Sequence, residues 1–407
     1  MSPAASSPIA GGLATLARRS RQLDLFRGVA AIFMIVNHAG YQLLGAAAAA
    51  GGWPSWLVFV GSAAPALFFF ATGVGSGLGS GRGDSFASAL RKVVLLLLAD
   101  ALLNWSTGTL LGFDFFGFAA AATATLFAIR RAHRPAIVAA VLLALVLAMR
   151  FGLASVARGR IEDDSLLAFI TGIAPVRHVS YPLGPWLAFP LLGFLVGRQW
   201  REGGSSQESW IVPATAGLCI ALSVLLAARG APVFRWGSVS IAYFLCAVGI
   251  VAIAWWCADR VAQALPAIAQ RASLRGPVSL LIVPLHYGIL GLLEALSPPP
   301  WDVAAWAPAT VALVLAVFIL SRALVAGARH IVVPGRVVQA GVAVIAVGIG
   351  LLAWGAWPPL PRLEACSAGQ VIIALLLLWS SNKSAAPSVP NRMISAPVSG
   401  ETSPPVS

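Results

Sequence analysis

Charge is scarce in this sequence. Only 10% of its 407 residues are Asp, Glu, Lys or Arg, against roughly a quarter in soluble domains. Hydrophobic residues make up 59%, and the mean hydropathy is +0.86. A water-soluble core has no place for so much apolar surface, whereas a bilayer has. The ten-residue polar/apolar alternation of a membrane barrel is missing, and so is any convincing internal repeat, which counts against a transporter built from inverted repeats. Cysteine is rare too. Cys219, Cys246, Cys257 and Cys366 show no metal-ligand spacing and three lie in apolar runs, so they read as packing residues, with neither a metal site nor a disulfide framework expected. No cleavable leader is expected, because Arg18, Arg19 and Arg21 precede an apolar run too long for one, which reads as an uncleaved anchor.

What the sequence has is long apolar runs, each able to cross roughly 30 Å of hydrocarbon as a helix that satisfies its own backbone. They fall at about 23–44, 56–79, 93–112, 113–129, 135–153, 183–197, 211–228, 237–257, 277–296, 303–321 and 337–357, with a short twelfth candidate at 370–380. The expected fold is all-α, a polytopic membrane bundle of about 11 helices (10–12). The net charge of +13 raises nucleic acid as a partner, but the placement of the basic residues argues against it. With the N-terminus in the cytoplasm, the inner segments carry 19 Lys and Arg and the outer ones 7. That bias is the positive-inside rule, and it predicts a multi-pass protein of a bacterial inner membrane or a plasma membrane.

Residues 1–22 read as a cytoplasmic N-terminal tail, disordered over 1–17. Residues 23–380 read as one transmembrane domain, and the Pro- and Ser-rich stretch 381–407 as a disordered tail. The outer loop 154–182, with Glu162, Asp163 and Asp164, has room for a short surface helix. The inner loop 198–210 reads as flexible.

Ionisable groups at membrane depth cost about 2.5–3.5 kcal/mol each on insertion scales, so each needs a partner or a purpose. The first span, RQLDLFRGVAAIFMIVNHAGYQLLG, is the richest. Arg27 and His38 are eleven residues apart, which places them within about 20° of one face and about 16 Å apart along the axis. Asp24 falls near the same face, with Asn37 beside His38. A His at that depth can act as a general base, and Arg27 can hold an anionic phosphate. Equally, Asp24 and Arg27 can form an i, i+3 ion pair, and His38 can be a hydrogen-bond partner between helices. In the second span, ALFFFATGVGSGLGSG fits either close helix packing or a glycine-lined passage. Arg91 and Lys92 stand at the inner end of the third span, with Asp100 and Asn104 one turn apart further along it. Trp186 fits an interfacial belt or a cavity wall. His286 lies mid-span beside the helix-bending Pro284.

Leu23, Asp24, Arg27, Gly28, Ala30 and His38 together resemble the opening helix of the transmembrane acyltransferase superfamily, and Asn37 and FFFATG fit the same pattern. That group includes the acyltransferase 3 family and the heparan-alpha-glucosaminide N-acetyltransferase-like proteins. ALRKVVLLLLADALLN and YPLGPWLAFPLLGFLVGR are similar to bacterial members of the second type. The likeness covers about 20–110, 181–198 and 276–292. It implies transfer of an acyl group, usually acetyl from acetyl-CoA, to a hydroxyl or amine, often on a sugar. His38 would be the essential His, either as a general base or as a transient acyl carrier, and Arg27 its partner. Asp24, Asn37, Arg91, Asn104, Trp186 and His286 are the candidate substrate-binding residues, and no metal is expected. The competing expectations are a transporter or flippase for a polar or lipid-linked solute and a scaffold whose polar residues only lock helices together.

Overall fold

A computed structural model describes residues 8–45, 52–79, 85–106, 112–153, 165–202, 211–231, 239–330, 339–341, 343–344 and 363–382. Each predicted span up to 321 has its helix. In chain order they are α1 (Pro8–Ala39), α2 (Trp53–Gly61), α3 (Ala64–Leu78), α4 (Phe86–Ser106), α5 (Phe115–Arg131), α6 (Pro135–Leu147), α7 (Ser165–Thr171), α8 (Leu183–Trp186), α9 (Ala188–Arg201), α10 (Ile211–Ala228), α11 (Ile241–Ala264), α12 (Pro266–Ala272), α13 (Gly276–Leu296), α14 (Val303–His330) and α15 (Leu363–Asn382). Wider π-type turns extend α1 through Leu44 and α6 through Gly152. Among the described residues the only β pairing is an isolated bridge between Phe113 and Val179. The chain is an all-α polytopic membrane bundle, with seven described segments long and apolar enough to cross a bilayer.

Four differences from the sequence reading have physical causes. α1 begins at Pro8, not near residue 23, because the Ala, Leu, Arg and Gln residues before the apolar run are good helix formers that carry the helix on. The predicted span 56–79 is two helices. Pro65 has no N–H to give to the carbonyl of Gly61, so the chain breaks at Ser62 and Ala63. Tyr243 of α11 donates to the Ser62 carbonyl at 2.8 Å, and Asn37 of α1 donates to that of Val58 at 2.8 Å. The doubtful 370–380 run is part of a 20-residue helix, α15, about 30 Å long. It packs on α13 and α4, where Gln370 donates to the Ala99 carbonyl at 2.9 Å. Finally, the helix expected in the 154–182 loop is α7, and it packs inward at Ala168 and Thr171. The acidic residues 162–164 of that loop, most of the predicted span 337–357, residues 203–210 and the tail 383–407 lie outside the described residues.

The glycines of the second span serve packing. A Cβ at Gly73 or Gly77 of α3 would collide with the backbone of α9. One at Gly193 or Gly197 of α9 would collide with that of α3. Two glycine pairs spaced by four therefore face each other, and the two backbones touch, as small-residue interfaces in lipid do. α2 and α3 are the most enclosed span, while α6, α10 and α14 turn most of their surface outward as the lipid-facing rim.

α1 and α13 run side by side. The Arg27 guanidinium of α1 lies against Gly276 of α13, and eleven residues further His38 meets Tyr287. Both pairs have the same offset, so the two helices run in the same direction for three turns. The predicted first and ninth spans require that parity.

Candidate active site

The polar stripe of α1 touches two separate cavities. At the Arg27 end is a cleft of about 850 Å³, lined by Arg21 and Asp24 of α1, Gln270 of α12, Ser273, Arg275 and Arg322. That size suits a large ligand. Arg27 lies beside it and is tied to Asp24, Nη1 to Oδ1 at 2.9 Å, with its guanidinium against Gly75 and Gly276. The backbone closes around the same spot, since the Leu274 N–H donates to the Asp24 carbonyl at 2.8 Å. Arg322 donates to the carbonyl oxygens of Gln270, Arg271 and Ser273, which pins α14 to the end of α12.

At the other end His38 is part of a chain of hydrogen bonds. His286 Nδ1 lies 2.7 Å from the carbonyl oxygen of Ile282, one turn back in α13. A carbonyl only accepts, so that nitrogen carries the proton. In the neutral ring Nε2 of His286 is then an acceptor. It lies 2.6 Å from His38 Nδ1, which must donate. The network therefore assigns the lone pair of His38 to Nε2. The Tyr287 hydroxyl approaches that nitrogen at 3.4 Å, and the three rings lie nearly parallel, with centroids 4.4–4.9 Å apart.

His38 lines a narrow cavity with Asn37, Asp114, Tyr181 and Tyr287. Its free space is about 20 Å³, room for about one water. A substrate group needs side-chain movement to enter. The extended segment at 113–114 shapes one wall. The Phe113 N–H donates to His178 O at 2.8 Å, and the Ser180 N–H to Phe113 O at 3.0 Å. This bridge sets Tyr181 and Asp114 side by side at the cavity.

The sequence-predicted residues divide. Asn37, His38 and Asp24 reach the cavities, and Arg27 braces the cleft. His286 is fully buried behind His38 as its partner. Trp186 is also fully buried, packed edge-on behind Tyr181 with centroids 4.9 Å apart. Asn104 donates to the Asp100 carbonyl at 2.9 Å and to its carboxylate at 3.0 Å, both within α4, and the same carboxylate oxygen accepts from the Asp114 N–H before α5. Arg91 lines neither cavity. Sequence reasoning passed over Tyr287, Asp114, Tyr181, Arg275 and Arg322. Asp114 carried a signal, being an acid inside a predicted span. Arg275 and Arg322 did not, because orientation alone accounts for such residues. Among the described residues no group of three His, Cys, Asp or Glu is placed to hold a metal.

A family model described as heparan-alpha-glucosaminide N-acetyltransferase, catalytic, matches residues 19–228, more than half of the chain. The chain belongs to that family. It is thus an acetyltransferase-type membrane enzyme, and the match spans α1 to α10, with Arg27, Asn37, His38 and Asp114 inside it. His286, Tyr287, Arg275 and Arg322 lie beyond the match, so the chain completes both cavities with helices outside the matched region. Neither a curated protein nor a solved structure matches this chain.

Proposed function

We propose that this protein moves an acetyl group from acetyl-CoA, taken from the cytoplasm, to a hydroxyl or amine of an extracytoplasmic acceptor, with a glycan as the class that the family description favours. The observation that carries this reading is the His38–His286–Ile282 chain, which leaves one imidazole nitrogen of α1 unprotonated at a cavity in the membrane.

The cleft by Arg21, Arg275 and Arg322 suits the phosphates of CoA, because guanidinium groups bind phosphate oxygens bidentately. Arg27, held by Asp24, braces the helix seam beside it. The thioester arm then follows α1 and α13 toward His38, about 16 Å further along. There the acceptor O–H or N–H attacks the thioester carbonyl carbon while His38 Nε2 takes its proton. The C–S bond breaks, the acetyl group stays on the acceptor, and the thiolate leaves with the proton that His38 returns to it. His286 accepts from the Nδ1–H throughout, so it orients the ring and stabilises the imidazolium, the role of the third member of a nucleophile–base–orienter set. Tyr287 donates toward the reacting nitrogen and releases it when the acceptor arrives.

The test is acetyl transfer from labelled acetyl-CoA to methyl α-glucosaminide in proteoliposomes. Loss of a general base reduces turnover by about 10²–10⁴-fold, so His38→Ala should fall in that range. A folded His38→Ala variant with undiminished transfer overturns the mechanism. Movement of acceptor across the vesicle membrane without acetyl-CoA would favour a transporter instead.

A further inference from the structure

The base chemistry leaves one half-buried carboxyl group on the cavity wall unused. Asp114 shares the cavity with His38, and its position is built. Its backbone N–H donates to Asp100 Oδ2 at 3.1 Å. Its Oδ1 accepts from the Phe115 N–H at 2.7 Å, and its Oδ2 accepts from the Ser180 hydroxyl at 3.1 Å. A helix-capping Asp ordinarily accepts from the second or third N–H of the helix. Asp114 instead accepts from the first and turns its other oxygen to a neighbouring segment, so capping does not account for its orientation. An ionised carboxylate has about four lone-pair directions, and among the described residues these contacts use two.

Asp114 is the only carboxyl group among the residues that line the cavity. His38 Nε2 also accepts, but it takes the reacting proton. The other acceptors are neutral, namely Asn37 Oδ1, left over when the Asn37 Nδ2–H goes to Val58, and the hydroxyls of Tyr181 and Tyr287. Resting on the acetyltransferase reading above, we infer that Asp114 is the acceptor-binding residue of this cavity. It accepts from an O–H or N–H next to the nucleophile of the incoming molecule, while the nucleophile itself faces His38. The chemistry that fits is an acceptor with donor groups on adjacent carbons, as a sugar or amino sugar has. A simple monohydric alcohol or lone primary amine lacks the second donor.

The experiment compares wild type with Asp114→Asn in proteoliposomes, using acetyl-CoA, methyl α-glucosaminide and its analogues lacking one ring hydroxyl at a time. Hydrogen bonds to charged groups set the expected size. The acceptor KM should rise about 10-fold or more in Asp114→Asn, with the acetyl-CoA KM unchanged. One deoxy analogue should be penalised in wild type and carry no added penalty in Asp114→Asn, the coupling expected of a direct pair. A role confined to the α5 terminus would lower the thermal midpoint and leave the acceptor KM and every deoxy penalty in place, and that result overturns the inference. If Asp114→Asn gives no folded protein, Ser180→Ala takes over. It removes a partner of Oδ2 and keeps the charge, so the acceptor KM should shift about threefold or more, and an unchanged KM overturns the inference. The two failures are distinguishable. Absence of any His38-dependent turnover of acetyl-CoA in wild type sinks the acetyltransferase reading, and this inference with it. Turnover with an unmoved acceptor KM sinks only the role of Asp114.

Discussion

Replacing His286 tests the proton chain most directly. In His286→Leu the His38 Nδ1–H loses its acceptor, now at 2.6 Å, inside a site where water has little access. Leaving a buried donor unpaired costs about 1–3 kcal/mol. Hydrogen bonds to a charged group contribute about 1.5–3 kcal/mol, and His38 becomes charged only once it has taken the acceptor's proton. The second quantity is felt in the transition state and not in the resting enzyme. At 1.4 kcal/mol per tenfold it corresponds to a fall in kcat of about 10- to 150-fold. The cleft proposed for the donor is at the other end of α1, so the KM for acetyl-CoA should hold.

Two companion variants make the reasoning specific. His286→Gln offers an amide oxygen to the same Nδ1–H and should recover a good part of the loss, whereas Leu cannot. Ile282 supplies only its backbone carbonyl to His286, so Ile282→Val leaves the chain intact and should stay close to wild type. The assay is steady-state transfer of labelled acetyl, with size-exclusion elution confirming that each variant is folded. A folded His286→Leu enzyme with kcat within threefold of wild type would refute the orienting role. A loss expressed only in the acetyl-CoA KM would do the same.

The remaining predictions concern the donor, the mechanism and the packing. Arg275→Glu should raise the acetyl-CoA KM by about tenfold or more with kcat little changed, since the proposed phosphate contact would be made equally in ground and transition states; an unchanged KM places the donor elsewhere. Direct transfer predicts that acid-quenched enzyme incubated with labelled acetyl-CoA and no acceptor holds no label on His38, and a stoichiometric acetyl-His38 would replace the base mechanism with a covalent one. Gly197→Leu should abolish folded protein, because its side chain meets the backbone of Val74 and the α3–α9 contact has no slack; normal expression would show that the seam opens cheaply. Asn37→Ala leaves the Val58 carbonyl at the α2–α3 break without its side-chain donor, so stability should fall by about 1 kcal/mol, visible as a lowered melting midpoint in detergent.

The bundle was legible because its cause is one-dimensional. Hydropathy needs only neighbours in sequence, and it located the long apolar helices up to α14. The errors came where a backbone group or a distant partner decides. Pro65 splits a run that is uniformly apolar, and α15 is long because α13 and α4 cover it, which no window of 370–380 can show. The α1 stripe was also legible, since Arg27 and His38 share a face of a single helix and helical geometry alone relates them.

What the sequence could not relate is residues that meet across helices. His38 and His286 are 248 positions apart, and each looks alike to a reader of the chain, a lone His in an apolar run. Only the pairing gives them different roles. His286 is locked by its own helix at Ile282 and can therefore only accept from His38, while His38 keeps a lone pair for the cavity. The asymmetry arises from which ring has a carbonyl one turn behind its Nδ1, and that depends on side-chain rotamer, not residue type. The same holds for the cleft arginines. Arg91 and Arg275 are equivalent under the charge-bias rule, yet only Arg275 follows the α12 turn that α1 packs against. Charge bias can orient such residues but cannot select among them. Selection comes from α13 running parallel to α1, which brings one cationic opening and one imidazole pair to opposite ends of a single seam.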